Sequence, residues 1–363
     1  MPNYYFNLPP FNDLSAGQNQ AVLDENAIAL SGGPGTGKSV VSIFRHILNH
    51  SRENPINSQL LTYTKSLAYY LKGCCATRSI NASEKIDSSK NWRYNNRSNR
   101  EEIIHDEAQD LPLEFNQWLK NYSSKISYGA DNQQLIAGYA RNEDGSYNLQ
   151  VCSPETNLQV EFPTNSQHHL PKNYRNSKKI LEFARKLLTP PPYGAVIPPE
   201  LIDRCTVIGE YPRLIIKSNN QQLDQTILDI IKQFAIYEGI NIAILVPFAN
   251  INPIAGQTGT VQYYYDLLTN NNIECSYFKW DFCGEIEIKN IHITTFKSAK
   301  GLEFDVVILP EFHLLNTKFN IVDWRDWYVG ITRTKSNLFM ISNPAFDNLP
   351  HDGIQKIIDK IIL

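Results

Sequence analysis

The chain lacks a strong charge of either sign. Over 363 residues, 34 Lys and Arg stand against 37 Asp and Glu, a formal net charge of −3. That balance excludes a global field drawing in nucleic acid, so any polyanion must meet a local patch. There is no uninterrupted apolar run long enough to span a bilayer, which excludes a membrane-spanning helix and any expectation of a membrane partner. The start, Met1-Pro2-Asn3-Tyr4, lacks the charged-then-apolar layout of a secretory signal. Six cysteines, at 74, 75, 152, 205, 275 and 283, include no C-x-x-C, which argues against the common zinc and redox signatures. Reduced, mostly buried thiols and a cytoplasmic location are the expectation. Eight histidines are scattered, and the pair His168-His169 reads as a strand end rather than a metal site.

Against those absences stands one sharp motif. Gly32-Gly33-Pro34-Gly35-Thr36-Gly37-Lys38-Ser39 reads G-x-x-x-x-G-K-S, a phosphate-binding loop. Apolar Ala27–Leu30 before it is strand-like, and the stretch from Val40 to His50 has helical apolar spacing. Glycines let the backbone curl so that successive N–H groups point at phosphate, and the helix N-terminus adds its positive end. In this context Lys38 is expected to reach the β- and γ-phosphates of ATP, and Ser39 to ligate Mg²⁺. Residues Gly32 to Val40 form the expected nucleotide cradle.

Short apolar runs alternate with helical patterns along the whole chain. Strands are expected at Ala27–Leu30, Gln59–Tyr63, Glu102–His105, Ile126–Ala130, Leu214–Lys217, Ile242–Val246, Ile291–Thr295, Val306–Leu309 and Leu338–Ile341. Helices are expected at Gly37–Asn49, Leu113–Lys120, Ser177–Leu188, Gln222–Tyr237, Thr258–Asn270, Trp324–Thr332 and Gly353–Ile361. Such alternation implies an α/β fold with parallel sheets flanked by helices. The length suits two domains, 1–170 and 171–363, with the boundary near Pro171–Asn176.

Residues 77–100 break the pattern. They are rich in Ser, Asn and Arg with almost no apolar periodicity. From Lys72 to Arg100 there are seven Lys and Arg against Glu84 and Asp87, with Trp92 and Tyr94 among them. Two readings stand side by side. One is a mobile basic arm that touches a nucleic-acid backbone with aromatics ready to stack; the other is a solvated loop.

Glu102-Ile103-Ile104-His105 is followed abruptly by Asp106-Glu107-Ala108-Gln109-Asp110, a strand end presenting D-E-x-x-D. Asp106 is placed to hold Mg²⁺, and Glu107 to orient and deprotonate an attacking water.

At this point the chain resembles the UvrD/Rep-like superfamily 1 helicases, through an ordered series over nearly its whole length. Leu14–Val22 is similar to the family's adenine-reading segment, with Gln18 at the position whose amide pairs with the adenine edge. Leu61-Thr62-Tyr63-Thr64-Lys65 resembles T-F-T-N, a strand end touching single strands. Gly129-Ala130-Asp131-Asn132-Gln133-Gln134 resembles G-D-x-x-Q, with Gln134 sensing the γ-phosphate. Leu170-Pro171-Lys172-Asn173-Tyr174-Arg175 resembles L-x-x-N-Y-R, so that Tyr174 stacks on adenine and Arg175 contacts the γ-phosphate. Thr294–Phe304 resembles T-x-H-x-x-K-G-L-E-F, which brings Gly301 and Glu303 toward the nucleotide and Thr295 toward nucleic acid. Tyr328-Val329-Gly330-Ile331-Thr332-Arg333-Thr334 resembles Y-V-A-x-T-R-A, which makes Arg333 the arginine finger.

The resemblance implies two tandem RecA-like P-loop NTPase domains. It implies an ATP-driven motor on single-stranded nucleic acid, DNA by resemblance alone, with Lys38, Mg²⁺, Arg175 and Arg333 surrounding the transferring phosphate. Tyr63, Thr64, Tyr139 and Thr295 are the expected nucleic-acid contacts. The chain departs from the family in three places. Lys297 stands where the family has histidine, the Gln134–Tyr139 run departs from Q-S-I-Y-x-W/F, and both large insertions of full-length relatives are absent or vestigial. The last departure keeps a second reading open: a nucleotide-gated switch or accessory subunit that signals to a nuclease or other effector protein without processive unwinding.

Overall fold

The computed structural model describes residues 4–135, 147–187, 199–217, 219–279, 287–317, 322, 324–342 and 359–362. The chain forms two compact units, Phe6–Lys172 and Asn173–Leu363, and the second also takes Met1–Tyr5. The division therefore falls two residues beyond Leu170, and the N-terminal residues group with the distant half. The cause is local. Tyr4 is buried edge-on against Phe304, its hydroxyl donates to the Glu303 carbonyl, and the Tyr5 N–H donates to Asn241 Oδ1 at 3.0 Å.

The Phe6–Lys172 unit contains β1 (Ile28–Ser31), β2 (Ser58–Thr62), β3 (Ile86–Ser88), β4 (Glu102–His105), β5 (Ile126–Gly129) and β6 (Ser166–His169). All pair in parallel in the order β3-β2-β4-β5-β1-β6. Strands β2, β4 and β5 are buried along their full length, as expected for central parallel strands covered on both faces. Edge strand β6 alternates between half-buried and exposed positions. It holds His168 and His169, whose side chains pair with Asp24 and Ser31 at 3.0 Å each. The helix Lys38–Ser51 lies on this sheet. Beneath it the Arg45 Nε donates to Glu102 Oε1 at 2.7 Å, and Asn49 Nδ2 to Glu102 Oε2 at 2.7 Å. The remaining Arg45 nitrogens donate to the carbonyls of Asp24 and Asn26, so the buried charge pair is hydrogen-bonded as its desolvation requires.

Residues 77–100 are neither a mobile arm nor a plain loop. They fold as a short helix Ile80–Ser83, strand β3, a turn of helix Ser89–Asn91 and a π-helical turn Trp92–Asn96. Trp92 is 1% exposed and sits edge-on against Trp118 and Tyr122. Its ring belongs to the core and is not available to stack on a base. The Arg93 guanidinium lies 5.1 Å from the centre of the Trp118 ring. Only short elements of different period succeed one another here, which is why no periodicity is visible in the sequence.

The second unit contains β7 (Arg213–Ile216), β8 (Ile242–Val246), β9 (Ser276–Phe278), β10 (Ile291–Thr295), β11 (Phe304–Leu309), β12 (Thr334–Ser342) and β13 (Asp359–Ile362). These too are all parallel, in the order β13-β7-β12-β11-β8-β10-β9. Its core joins β8, β10 and β11 to the buried faces of helices Asn220–Ala235 and Val261–Asn270. The helix expected at Gly353–Ile361 is corrected: Asp359–Ile362 pairs in register with Arg213–Ile216 as an edge strand, and residues 353–358 lie outside the described ones. β-Branched Ile361 and Ile362 suit a pleated strand once an open sheet edge is available. The two units are each a parallel sheet flanked by helices, as in tandem RecA-like domains.

Candidate functional site

In the first unit the phosphate-binding loop leaves β1 at Ser31 and enters the helix at Lys38. Gly32 has φ 139°, and a Cβ there would lie 2.4 Å from the Leu170 carbonyl oxygen, so a side chain cannot be accommodated. Thr36 Oγ1 closes the loop by donating to Gly33 O at 2.9 Å. Lys38 Nζ donates to Gly32 O at 2.6 Å and Gly33 O at 3.0 Å, and lies 3.6 Å from Asp131 Oδ2. Lys38, Asp131 and Gln134 are all buried, and Gln134 Nε2 donates to Asp131 Oδ2 at 2.6 Å.

Asp106 follows β4 and is pinned by its N–H to the Leu61 carbonyl at the end of β2, at 2.8 Å. Ser39 Oγ donates to Asp106 Oδ2 at 2.7 Å, and Ser42 Oγ lies 3.5 Å from Oδ1. Burial first, then the charge of Glu107, pushes the Asp106 carboxyl up to about 7 against the opposing pull of Ser39 and Lys38. Glu107 adopts φ 58°, a left-handed conformation that is rare for a non-glycine residue and marks a constrained turn. Its carboxylate accepts from Gln109 Nε2.

These groups suit Mg²⁺. A hydroxyl and a carboxylate converge as two hard oxygen donors, the few that a cation retaining waters and phosphate oxygens needs. A second cation beside Lys38 would also compensate the paired negative charge of Asp106 and Glu107. Among the described residues no cluster of three or more His, Cys, Asp or Glu forms a closed metal cage.

Gln18 is brought to the same loop, but its amide already has work there. It completes a capping box with Ser15, accepting from the Ser15 N–H at 2.9 Å, and donates to Thr36 O at 3.1 Å. Glu155 escaped sequence reasoning. Burial first, then Asp131, raises its carboxyl, while Lys38 pulls the other way, so it shares the electrostatics of the loop. No spacing rule links position 155 to the loop; only the fold does.

In the second unit Arg175 Nε donates to Glu303 Oε2 at 3.0 Å, joining two residues expected at the nucleotide. Asn173 Oδ1 accepts from the N–H groups of Arg175 and Asn176 at 3.0 and 2.8 Å, a side-chain turn that presents Tyr174, which is 37% exposed. Gly301 is buried with φ 82°. Arg333 is buried and donates to the carbonyls of Val329 at 3.1 Å and Leu302 at 3.4 Å. Its guanidinium must exchange those bonds to meet a phosphate. Gly330 stands where the family motif has alanine because Phe296 occupies the space: a Cβ would lie 2.7 Å from the Phe296 ring.

Of the expected nucleic-acid contacts, Tyr63 is 43% exposed at the end of β2, and Thr64 caps the helix Lys65–Ala76 by accepting from Leu67 N–H at 3.0 Å. Thr295 Oγ1 is 3.1 Å from Ser298 Oγ. Tyr139 lies outside the described residues.

A loop between strand and helix, a buried lysine, and carboxylates at the ends of neighbouring parallel strands define the P-loop class of α/β proteins. Residues 270–344 match the UvrD-like helicase C-terminal domain family. The match covers that stretch of the second unit, and over the rest of the chain the ordered motifs resemble those of the UvrD/Rep-like superfamily 1 helicases. No curated protein matches it by sequence. Among solved structures it is similar to the C-terminal domain of a possible DNA helicase from Lactobacillus plantarum WCFS1, at 16% identity and TM-score 0.35, over 52% of this chain and 98% of that one. It is also similar to the PRRSV helicase, at 14% identity and TM-score 0.44, over 93% of this chain and 57% of that one. The chain thus spans 57% of the length of that helicase.

Proposed function

We propose that the chain is an ATP-dependent motor on single-stranded nucleic acid, a minimal DNA helicase or translocase. The observation that carries this reading is the convergence of Lys38, Ser39, Asp106 and Asp131 on one glycine-rich loop. Lys38 meets the β- and γ-phosphates of ATP. Ser39 and Asp106 hold Mg²⁺, which when bound neutralises charge on the phosphate oxygens. Glu107 takes a proton from the attacking water, and Gln134 reports on the γ-phosphate. Arg175 and Arg333 supply the further positive charge that the family resemblance assigns to them. Tyr63, Thr64 and Thr295 meet the strand. The test is ATP turnover by the full chain with and without single-stranded DNA, at two salt concentrations. Turnover that depends on Lys38, rises with single strands and loses that rise at high salt supports the reading. Turnover unchanged in Lys38→Ala rejects it.

One observation favours a second reading. The interval between β2 and β4, where relatives carry a large insertion, is here a short folded segment with Trp92 in the core. An interval this short between β2 and β4 suits a nucleotide-gated switch acting with an effector protein such as a nuclease. Strand displacement on a tailed duplex separates the two, because robust unwinding by the isolated chain eliminates the switch.

A further inference from the structure

A chain of buried polar groups runs between the end of β2 and the turn that carries Asp106 and Glu107. Ser89 Oγ lies 3.0 Å from the Thr62 carbonyl oxygen and 3.2 Å from His105 Nε2. His105 Nδ1 lies 2.7 Å from Asn116 Oδ1. Asn116 Nδ2 donates to Ala108 O at 3.3 Å and to Ser153 Oγ at 2.8 Å, and Ser153 Oγ donates to Leu111 O at 2.7 Å. Ser89, His105, Asn116 and Ser153 are all essentially inaccessible to solvent.

The hydrogens in this chain do not suffice for every contact. Both Asn116 N–H groups are spent on oxygen acceptors, so Asn116 Oδ1 faces His105 as an acceptor, and Nδ1 must carry the imidazole hydrogen. His105 is fully buried and its two ring nitrogens face an amide oxygen and a hydroxyl rather than a carboxylate, a setting that accommodates the neutral ring and not an imidazolium. Nε2 is then an acceptor as well. Ser89 therefore faces two acceptors, Thr62 O and His105 Nε2, with one hydroxyl hydrogen. Only one of the two bonds forms at a time.

We infer that Ser89 is a two-position relay: its hydroxyl bonds Thr62 O in one state and His105 Nε2 in the other, coupling the strand-contacting end of β2 to the Asp106–Glu107 turn. His105 is its partner as a positioning residue, since it precedes Asp106 and is tied through Asn116 to Ala108 O, on the far side of Glu107. The Thr62 carbonyl belongs to the planar peptide that joins it to Tyr63, so a nucleic-acid strand that shifts Tyr63 and Thr64 also turns that carbonyl. That movement releases or recaptures the Ser89 hydrogen and resets the hydrogen bonding of His105. A discrete choice between two acceptors is the kind of bistable element that coupling between sites requires. Thr62 Oγ1, buried without a hydrogen-bond partner, adds a second polar group at this strand end with no bond to lose when it moves. The inference rests on the reading above that Tyr63 and Thr64 meet a single strand.

The test compares wild type, Ser89→Ala and Ser89→Thr in ATP turnover, with and without single-stranded oligothymidylate. Amide hydrogen exchange of residues 62–64 and 105–110 is followed in parallel. Ser89→Ala is expected to keep basal turnover and the KM for ATP but to lose stimulation by about fivefold or more, the scale of a coupling between two sites. Ser89→Thr, which retains the hydroxyl, restores it. In wild type, oligothymidylate changes exchange at both 62–64 and 105–110, and in Ser89→Ala at 62–64 alone. Full stimulation in Ser89→Ala overturns the relay, as does a parallel loss of basal and stimulated turnover. If Ser89→Ala does not fold, wild-type exchange decides: protection that changes at 62–64 and not at 105–110 overturns it. A wild type that neither hydrolyses ATP nor binds oligothymidylate rejects the functional reading instead.

Discussion

Ser39 Oγ and Asp106 Oδ2 lie 2.7 Å apart although 67 positions separate them in the chain. The contact joins the first turn of the helix after β1 to the residue after β4. It requires the parallel order in which β5 alone lies between those two strands. The phosphate-binding loop and the acidic turn are thereby fixed against one another before any ligand arrives, which is how electrostatic preorganisation is built.

Replacing the loop lysine tests the centre of the site. Lys38→Ala is expected to lower ATP turnover at least about 100-fold, the scale of losing one preorganised charge at a transferring group. It also leaves Asp131 without the ammonium 3.6 Å away, so thermal stability falls as well. Steady-state turnover and thermal unfolding check both effects.

Glu107→Gln separates binding from chemistry. Turnover is expected to fall about 10²–10⁴-fold, the contribution of a general base. ATP affinity, read by calorimetry, stays close to wild type. Equal losses of affinity and turnover would contradict the role given to this carboxylate.

Gly32→Ala tests the backbone of the loop. The methyl group would press on the Leu170 carbonyl oxygen 2.4 Å away at a φ of 139°. The expected result is a fall in stability on the order of 1–3 kcal/mol from strained backbone, with weakened ATP binding. Thermal unfolding and nucleotide titration measure the two.

Trp92→Ala tests whether residues 77–100 belong to the core. A tryptophan 1% exposed among aromatic neighbours predicts a loss of about 3–5 kcal/mol, read by urea denaturation. An unaltered midpoint would return the segment to the surface.

Glu311 predicts a pH dependence. Burial first, then the charge of Asp224, pushes its carboxyl from 4.5 up to about 7. The folded state therefore holds a proton that the unfolded chain releases. The stability this contributes is complete below pH 4.5 and is lost as pH rises to about 7. Glu311→Gln should gain on wild type across that window by at most about 1.4 kcal/mol per pH unit, and hold the gain at higher pH. Denaturation midpoints at pH 5 and pH 8, in about the same buffer conditions, decide it.

Much of the architecture was legible along the chain. Strands β4, β8 and β10 and the helix Trp324–Thr332 lie at the expected residues, because buried parallel strands read as short apolar runs and amphipathic helices repeat at their own period. Elements that depend on partners were not legible. Of β6 only the end at His168-His169 was read, Asp359–Ile362 becomes a strand because a sheet edge is open to it, and 77–100 folds because Ile86 and Trp92 find a core.

By itself the sequence determined the motif vocabulary: the glycine-rich loop, the acidic turn and the α/β alternation, all local patterns set by backbone geometry and residue type. The tertiary structure alone decided which of those residues meet. It gave Gln18 to a helix cap and Arg333 to the carbonyls of its own unit, brought Glu155 near the loop, and set Ser89 between Thr62 and His105. The reason is physical. A motif is written in consecutive residues, whereas hydrogen bonds and burial are satisfied by neighbours in space, and a parallel sheet draws those neighbours from strands far apart in the chain.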